Sequence, residues 1–295
     1  MRGAVRRVGL GCEASALRAV RRGEIALARR GACTFEAKAR LAQAAGAAAL
    51  LVAAAGGGGP FDGALRRPAR IPVLALSERA GRELSGRVRL SVDAESGRRT
   101  TRNVIAETGP GDASRVVMAG AHLDSVPAGP GLNDDGSGVA AVLEAAEQVA
   151  GRSLPDGAAL RVGFWAAEEI GLVGSRRYVS RLSRAERRRI TAYVNLDMVG
   201  TPRAKARVYD GSDDAGRRIE AALRAGLPDG AREEDLGGSS DHASFARAGV
   251  AVGGIFTGLD RCYHRACDTL DNVDAELAAQ AARATAGALE ALAAD

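Results

Sequence analysis

The sequence predicts an α/β protein: a mixed, mostly parallel sheet flanked by helices, preceded by a small α+β module. Three observations carry that prediction. From residue 103 onward, short apolar runs alternate with segments of helical period, which implies right-handed crossovers between parallel strands. Ahead of residue 95 the strands are short, and no group of catalytic residue types gathers there. A length of 295 residues at 46% hydrophobic content supplies core for one large domain or two modest ones, with Ala and Gly filling much of it.

In chain order, residues 23–29 (GEIALAR) alternate as a strand. Thr34 then caps a helix ending near Gly46, with Ala37, Leu41, Ala44 and Ala45 on one apolar stripe. Residues 47–54 read as a buried strand, 56–60 (GGGGP) as a loop, and 71–76 and 87–92 as two further short strands. This places a first domain over 1–95 and a second over 96–295, with a linker across 95–99 (ESGRR). In the second, strands are expected at 103–107, 115–119, 159–165, 190–196 and 249–256. Helices are expected at 137–150, 171–182 and 214–225, and from about 275 to the end.

Composition excludes several classes. The 41 basic and 36 acidic residues leave a net charge of +5, mostly Arg spread along the chain. No basic stripe is interleaved with aromatics, which argues against a nucleic-acid partner. No run approaches the roughly 18 apolar residues of a membrane span. The N-terminus MRGAVRRVGLGC is basic, but its apolar run is too short for a secretory signal. The four cysteines fall as two local pairs, Cys12 with Cys33 and Cys262 with Cys267. That fits disulfides in an exported protein; four free buried thiols is the alternative left open by the count alone.

The chemistry concentrates after residue 117. The stretch VMAGAHLDSVPAGPGLNDDGSG runs from an apolar strand through His122 and Asp124, across a Gly/Pro loop, to Asp134 and Asp135 before a helix. In open α/β sheets, ligands gather beyond the carboxyl ends of the strands. His122, Glu168-Glu169 and Asp197 each follow an apolar strand, and His264 follows the last one. Two histidines and three carboxylates meet the needs of a two-zinc site, with four N/O ligands per ion and one carboxylate shared. Asp134 is the candidate bridge, His122 and Asp197 complete one metal, and Glu169 and His264 the other. Asp124 is expected to accept the second ring N–H of His122. Glu168 is left as general base. The bland readings are a satisfied core histidine for His122, an acidic helix start for Glu168-Glu169, and a packing role for Tyr263. His242 reads as a supporting or core histidine, Asp135 as a helix N-terminal acid, and 184–189 as a solvated face.

The motifs AHLDSV, GLNDDGSG, FWAAEEIGLVGS, NLDMVG, SSDHASF and DRCYHRACDTLDN closely resemble the co-catalytic di-zinc aminopeptidases of metallopeptidase family twenty-eight (clan MH), over about residues 101–294. The run RRGACTF, with Lys38 and Ala44-Ala45-Gly46, resembles a protease-associated (PA) domain, a non-catalytic lid or docking module. The resemblance implies an exported, monomeric aminopeptidase with two zinc ions, acting on peptide N-termini. It implies that Tyr263 stabilises the oxyanion and that the substrate amine is held near Glu168 and Asp197. It also implies a Cys12–Cys33 bridge, and a Cys262–Cys267 staple that aims His264. A related carboxypeptidase or glutaminyl cyclase-like enzyme, or a non-catalytic receptor-like homologue, are the alternatives. Three departures stand out: Ser239 occupies the place of a substrate-binding arginine, only residues 257–261 precede the second disulfide, and the chain starts almost inside the PA insertion. The last reads as an N-terminal truncation.

Overall fold

The computed structural model describes all residues except 62, 64, 66, 95–98, 109–112, 153, 212, 229–230, 236 and 295. It forms two compact units, Met1–Arg99 and Thr100–Asp295. The expected linker lies, except for Arg99, outside the described residues.

In the first unit, β1 (Arg2–Arg7), β2 (Ile25–Arg29), α1 (Phe35–Ala44), β3 (Ala49–Ala53), β4 (Val73–Leu76), α2 (Glu78–Glu83) and β5 (Arg87–Arg89) follow in order. The sheet runs β4-β3-β2-β1-β5, parallel except for the β1–β5 pair. β2 and β3 are almost wholly buried, which is why IALA and ALLVA are apolar throughout and the one charge, Arg29, falls at the exposed end of β2. Thr34 caps α1 as expected, its hydroxyl accepting from the Ala37 amide at 3.2 Å. β1 has no counterpart in the sequence pattern: RGAVRR carries too many charges to read as a strand, and pairing on both sides holds it. β5 stops at Arg89, short of the expected 92.

The second unit contains β6 (Val104–Glu107), β7 (Arg115–His122), α3 (Gly138–Ala150), β8 (Ala158–Trp165), α4 (Val173–Arg181), α5 (Arg184–Arg189) and β9 (Ile190–Leu196). It continues with β10 (Arg207–Tyr209), α6 (Asp214–Ala225), β11 (Arg232–Glu234), α7 (His242–Ala246), β12 (Val252–Phe256) and α8 (Ala275–Ala294). The seven strands are ordered β11-β10-β12-β9-β7-β8-β6, with β8, β7, β9 and β12 parallel in the middle. A mixed, mostly parallel sheet flanked by helices is thus observed. β10 and β11 are three-residue strands, too short and charged to give a period-two signal.

β7 shows how the sheet is clamped from both faces. Val117, Ala119 and Ala121 join α3, α6 and α8 residues such as Val142, Leu223 and Leu289 in one core. Val116 and Met118 point the other way, into a core with Trp165, Val179, Tyr193 and Phe245. There Tyr193 and Phe245 stack with ring centroids 3.7 Å apart. Among the described residues, no helix is long and apolar enough to cross a membrane.

β1 and the turn before β2 are joined by an ion pair that titrates. Arg6 Nη2 lies 2.7 Å from Glu24 Oε1, and the Arg21 amide donates to Glu24 Oε2 at 2.8 Å. The Arg6 hydrogen bond, then that amide, hold the Glu24 carboxyl down at about 2. An unfolded glutamate titrates near ~4.3, so the pair's contribution is complete above that pH and is lost as pH falls through the folded value. Glu24→Gln should therefore lower the denaturation midpoint at neutral pH, and the gap to the parent should close in strong acid. A gap independent of pH would remove the pair from the stability of this unit.

Candidate metal centre

Three parallel strands open side by side on one sheet edge. β7 lies between β8 and β9, so residues at their carboxyl ends become neighbours. His122 is the last residue of β7 rather than the first loop residue, Glu168 and Glu169 lie just beyond β8, and Asp197 directly follows β9. Asp134 comes from the irregular turn Leu132–Ser137, and His264 from the loop between β12 and α8.

These side chains converge. Asp134 reaches both histidines, with Oδ1 3.2 Å from His122 Nε2 and Oδ2 3.1 Å from His264 Nε2. Glu169 Oε2 lies 3.1 Å from the same His264 nitrogen, and Asp197 Oδ1 lies 3.9 Å from His122 Nε2. Among the described residues, two groups present ligand atoms within 4.8 Å of one another: His122, Asp135 and Asp197, and Asp134, Glu169 and His264. Ligands about 2.0–2.1 Å from a tetrahedral ion sit roughly 3.3 Å apart, which these contacts approach. One further atom asks for a partner: Glu169 Oε1 is buried with no hydrogen bond. The donor set of imidazole and carboxylate is that of a first-row transition ion.

Asp135 belongs to the first group by distance, yet its oxygens are already engaged. Oδ2 accepts the His122 amide at 2.9 Å, and Oδ1 accepts the Gly138 and Met198 amides at 3.1 and 3.2 Å. It is a helix N-terminal acid, as its position implies, and it also ties the ends of β7 and β9 to α3. The Asp134–Asp135 peptide bond is cis.

Asp124 departs from expectation. Its backbone carbonyl, not its carboxylate, lies 2.9 Å from His122 Nδ1, and Oδ1 is 3.9 Å away. The carboxylate instead accepts the Glu168 amide at 2.9 Å and the Glu169 amide at 3.3 Å. It positions the acids rather than the imidazole, because the turn after β8 leaves those two amides unpaired at its elbow.

Gathering so many acids has an electrostatic cost. Burial pushes Glu168 up to about 9, with Asp197 and Asp241 adding repulsion against the opposing pull of His122. Burial, then Asp134, pushes Glu169 up to about 8. Asp197 and Asp135 are raised by the same loss of solvent. Burial disfavours charge on His122, but Asp135 and Asp134 together with Asp197 raise it well above the ordinary imidazole range. A carboxylate cluster of this kind is relieved by a cation that replaces the protons.

Several supporting residues had little or no signal in the sequence. Asp268 Oδ1 and Oδ2 accept the amides of Asn133 and Asp134 at 2.9 and 3.1 Å, clamping the bridge loop. Asn133 Oδ1 accepts from the Gly200 amide and from the Ser137 hydroxyl at 3.1 Å each. The readable clue was an acid directly behind Cys267. Ala167, Met198 and His264 are left-handed, at φ 59°, 52° and 57°. Each costs about 1–2 kcal/mol in a non-glycine residue and re-aims an adjacent or own side chain toward the cluster. The loop behind His264 is closed by the Cys262–Cys267 disulfide, and the Tyr263 ring stacks on the His264 ring at 3.8 Å. His242 is buried, its Nε2 3.0 Å from the Gly237 carbonyl oxygen, and belongs to neither group.

The cluster floors a cavity of about 540 Å³, which His122, Asp134, Glu168, Glu169 and Asp197 share with Met198, Phe256, Leu259 and Tyr263. Ser239 lines it too, and the guanidinium at this wall comes from Arg207, paired with Glu234 at 2.8 Å. The short segment before the disulfide still puts Leu259 on the wall.

The model of peptidase family M28 matches residues 103–289, spanning every residue of the cluster. The chain belongs to peptidase family M28. The PA domain model matches residues 4–84. Among the curated relatives, an aminopeptidase of Pseudomonas aeruginosa is 37% identical over 90% of this chain and 56% of its own length. The structure is similar to an aminopeptidase from Aneurinibacillus, with a TM-score of 0.86 and 28% identity over 98% of this chain and 74% of that one. It is also similar to a zinc aminopeptidase from Bacillus subtilis, with a TM-score of 0.74 and 30% identity over the same shares, 98% and 74%. The chain spans between 44% and 61% of the length of the curated relatives it matches.

Gly138 makes the M28 cluster sensitive to a single methyl group. A Cβ there would fall 2.2 Å from Asp135 Oδ1 and 2.6 Å from the Leu196 carbonyl oxygen. Gly138→Ala should cost about 1–3 kcal/mol by overpacking and should weaken divalent-cation binding in a calorimetric titration. Parental metal affinity in that variant would mean that Asp135 does not organise the cluster.

Proposed function

We propose that the chain is a zinc-dependent aminopeptidase that removes N-terminal residues from peptides. One observation carries the proposal: a single buried carboxylate, Asp134, presents one oxygen to each of two histidines, the arrangement a shared ligand requires. His122, Asp134 and Asp197 would hold one ion, and Asp134, Glu169 and His264 the other. The similar Bacillus subtilis protein is a zinc aminopeptidase, and the imidazole and carboxylate donors present here fit that ion. Zinc held there supplies Lewis acidity, lowering the pKa of water and stabilising negative charge on the scissile carbonyl oxygen.

The protein's own residues do the rest. Glu168 lines the cavity, and its carboxylate is not among the groups gathered within ligand distance. It serves as general base toward the attacking water and then as acid toward the leaving amine. Asp124 holds the Glu168 amide and so sets where that carboxylate points. Tyr263 is half-buried at the cavity wall with its proton retained, since burial and then Asp134 raise its pKa. It donates to the developing oxyanion. Glu168 and Asp197 hold the substrate ammonium, which restricts cleavage to free N-termini. Two disulfides support an exported protein, and the proposed division is a PA module over 1–95 beside a peptidase domain over 96–295.

The zinc-loaded protein should release nitroaniline from leucyl p-nitroanilide and leave the N-acetylated substrate intact. Equal turnover of the two would refute an aminopeptidase, and a folded, zinc-loaded, inert protein would favour a binding role. Glu168→Gln should keep both ions by elemental analysis while kcat falls by about 10²–10⁴-fold. Near-parental turnover would remove Glu168 from the mechanism. Tyr263→Phe should lower kcat by about 10²–10³-fold with little change in KM; a change confined to KM would assign Tyr263 to substrate packing instead.

A further inference from the structure

The first unit holds a disulfide beside a buried lysine, neither of which the proposed peptidase chemistry uses. Cys12, between β1 and β2, is joined to Cys33, between β2 and α1. Beside this bond sits Lys38, the one lysine of the chain among its buried polar residues, only 1% exposed. Its Nζ donates to the Leu10 and Gly31 carbonyl oxygens, the latter at 2.9 Å, and lies 3.3 Å from Cys12 Sγ. An ammonium has three N–H donors. Two carbonyls take two of them, and the third is left for the sulfur.

We propose that Cys33 is a site of thiol–disulfide exchange with low-molecular-weight thiols, in which Lys38 makes Cys12 the leaving thiolate. A disulfide sulfur is a weak acceptor, whereas a thiolate is an anion. The Lys38 contact therefore strengthens only when the bond opens with the electron pair on Cys12. Thiolates are stabilised beside a lysine, and the sulfur with the lower pKa leaves faster. Cys33 has no such cation within bonding distance among the described residues. It precedes the start of α1, but there Thr34 already occupies the Ala37 amide and Glu36 adds a negative charge. Burial draws the Lys38 pKa below its ordinary value, while two carbonyl acceptors at Nζ favour the ammonium form.

The step balances simply. An incoming thiolate attacks Cys33 Sγ, the Cys12–Cys33 bond breaks, and Cys12 departs with the electron pair against Lys38. Cys33 is left in a mixed disulfide with the incoming thiol. A second thiolate attacks that thiol's sulfur, giving its symmetrical disulfide and a reduced Cys33. Two electrons pass from two thiols to the protein disulfide.

The test uses the full chain, oxidised, exposed at neutral pH to excess reduced glutathione, then alkylated and mapped by mass spectrometry. Glutathione is expected on Cys33 and the alkyl group on Cys12, in a ratio of about ten to one or more. An even distribution, the reverse assignment, or a disulfide inert over hours in the folded protein would each overturn the proposal. Lys38→Met should bring the ratio near unity and slow the exchange about ten-fold; an unchanged ratio would also overturn it. Should Lys38→Met not fold, Cys33→Ser leaves Cys12 as a thiol whose alkylation rate against pH reports its pKa. A value below the ordinary one of about 8.5 is expected, and a value at or above it would refute the assignment.

Discussion

The peptidase unit is organised around a charge problem: several carboxylates buried at one sheet edge cannot all stay ionised without a cation among them. Asp134 sits in the middle of that cluster, almost fully buried and within hydrogen-bonding distance of both histidines. A structure that pays for such an arrangement does so by fixing the backbone, because loosely held acids would turn to water. The amides of Asn133 and Asp134 are accordingly bound by Asp268, and those of His122, Gly138 and Met198 by Asp135. Acids outside the proposed ligand set thus orient those within it.

Much of this was legible before any coordinates. The buried parallel strands announce themselves as apolar runs, and each ends within a few residues of an acid or histidine, so their convergence follows from sheet geometry. Boundaries of β9 and α3 fall where periodicity places them, because both elements bury a continuous apolar face. β1, β10 and β11 left no trace, since strands that are very short or rich in charge owe their existence to neighbours already in place. α5 coincides with the run read as a solvated face, and none of its residues is buried; it is a short helix whose Ser183–Glu186 capping box outweighs its crowded arginines.

The site was harder to read at its second layer. Asp124 looked like the partner of a histidine ring because the two are close in sequence, and proximity along a chain says nothing about which oxygen faces which donor. The carboxylate went instead to two amides from a distant strand end. Likewise, Asp268 is more than a hundred residues from the loop it holds, and neither periodicity nor local spacing could pair them.

The link from Asp268 to the Asp134 loop has a further consequence for how such proteins can be recombined. Asp268 directly follows the disulfide that frames His264, so its carboxylate ties the Asp134 turn to the His264 loop despite their separation in sequence. They form a single interchangeable part. A chimera that imports one segment from a homologue and keeps the other would join two halves of different castings, whereas transplanting both together would carry the frame across intact.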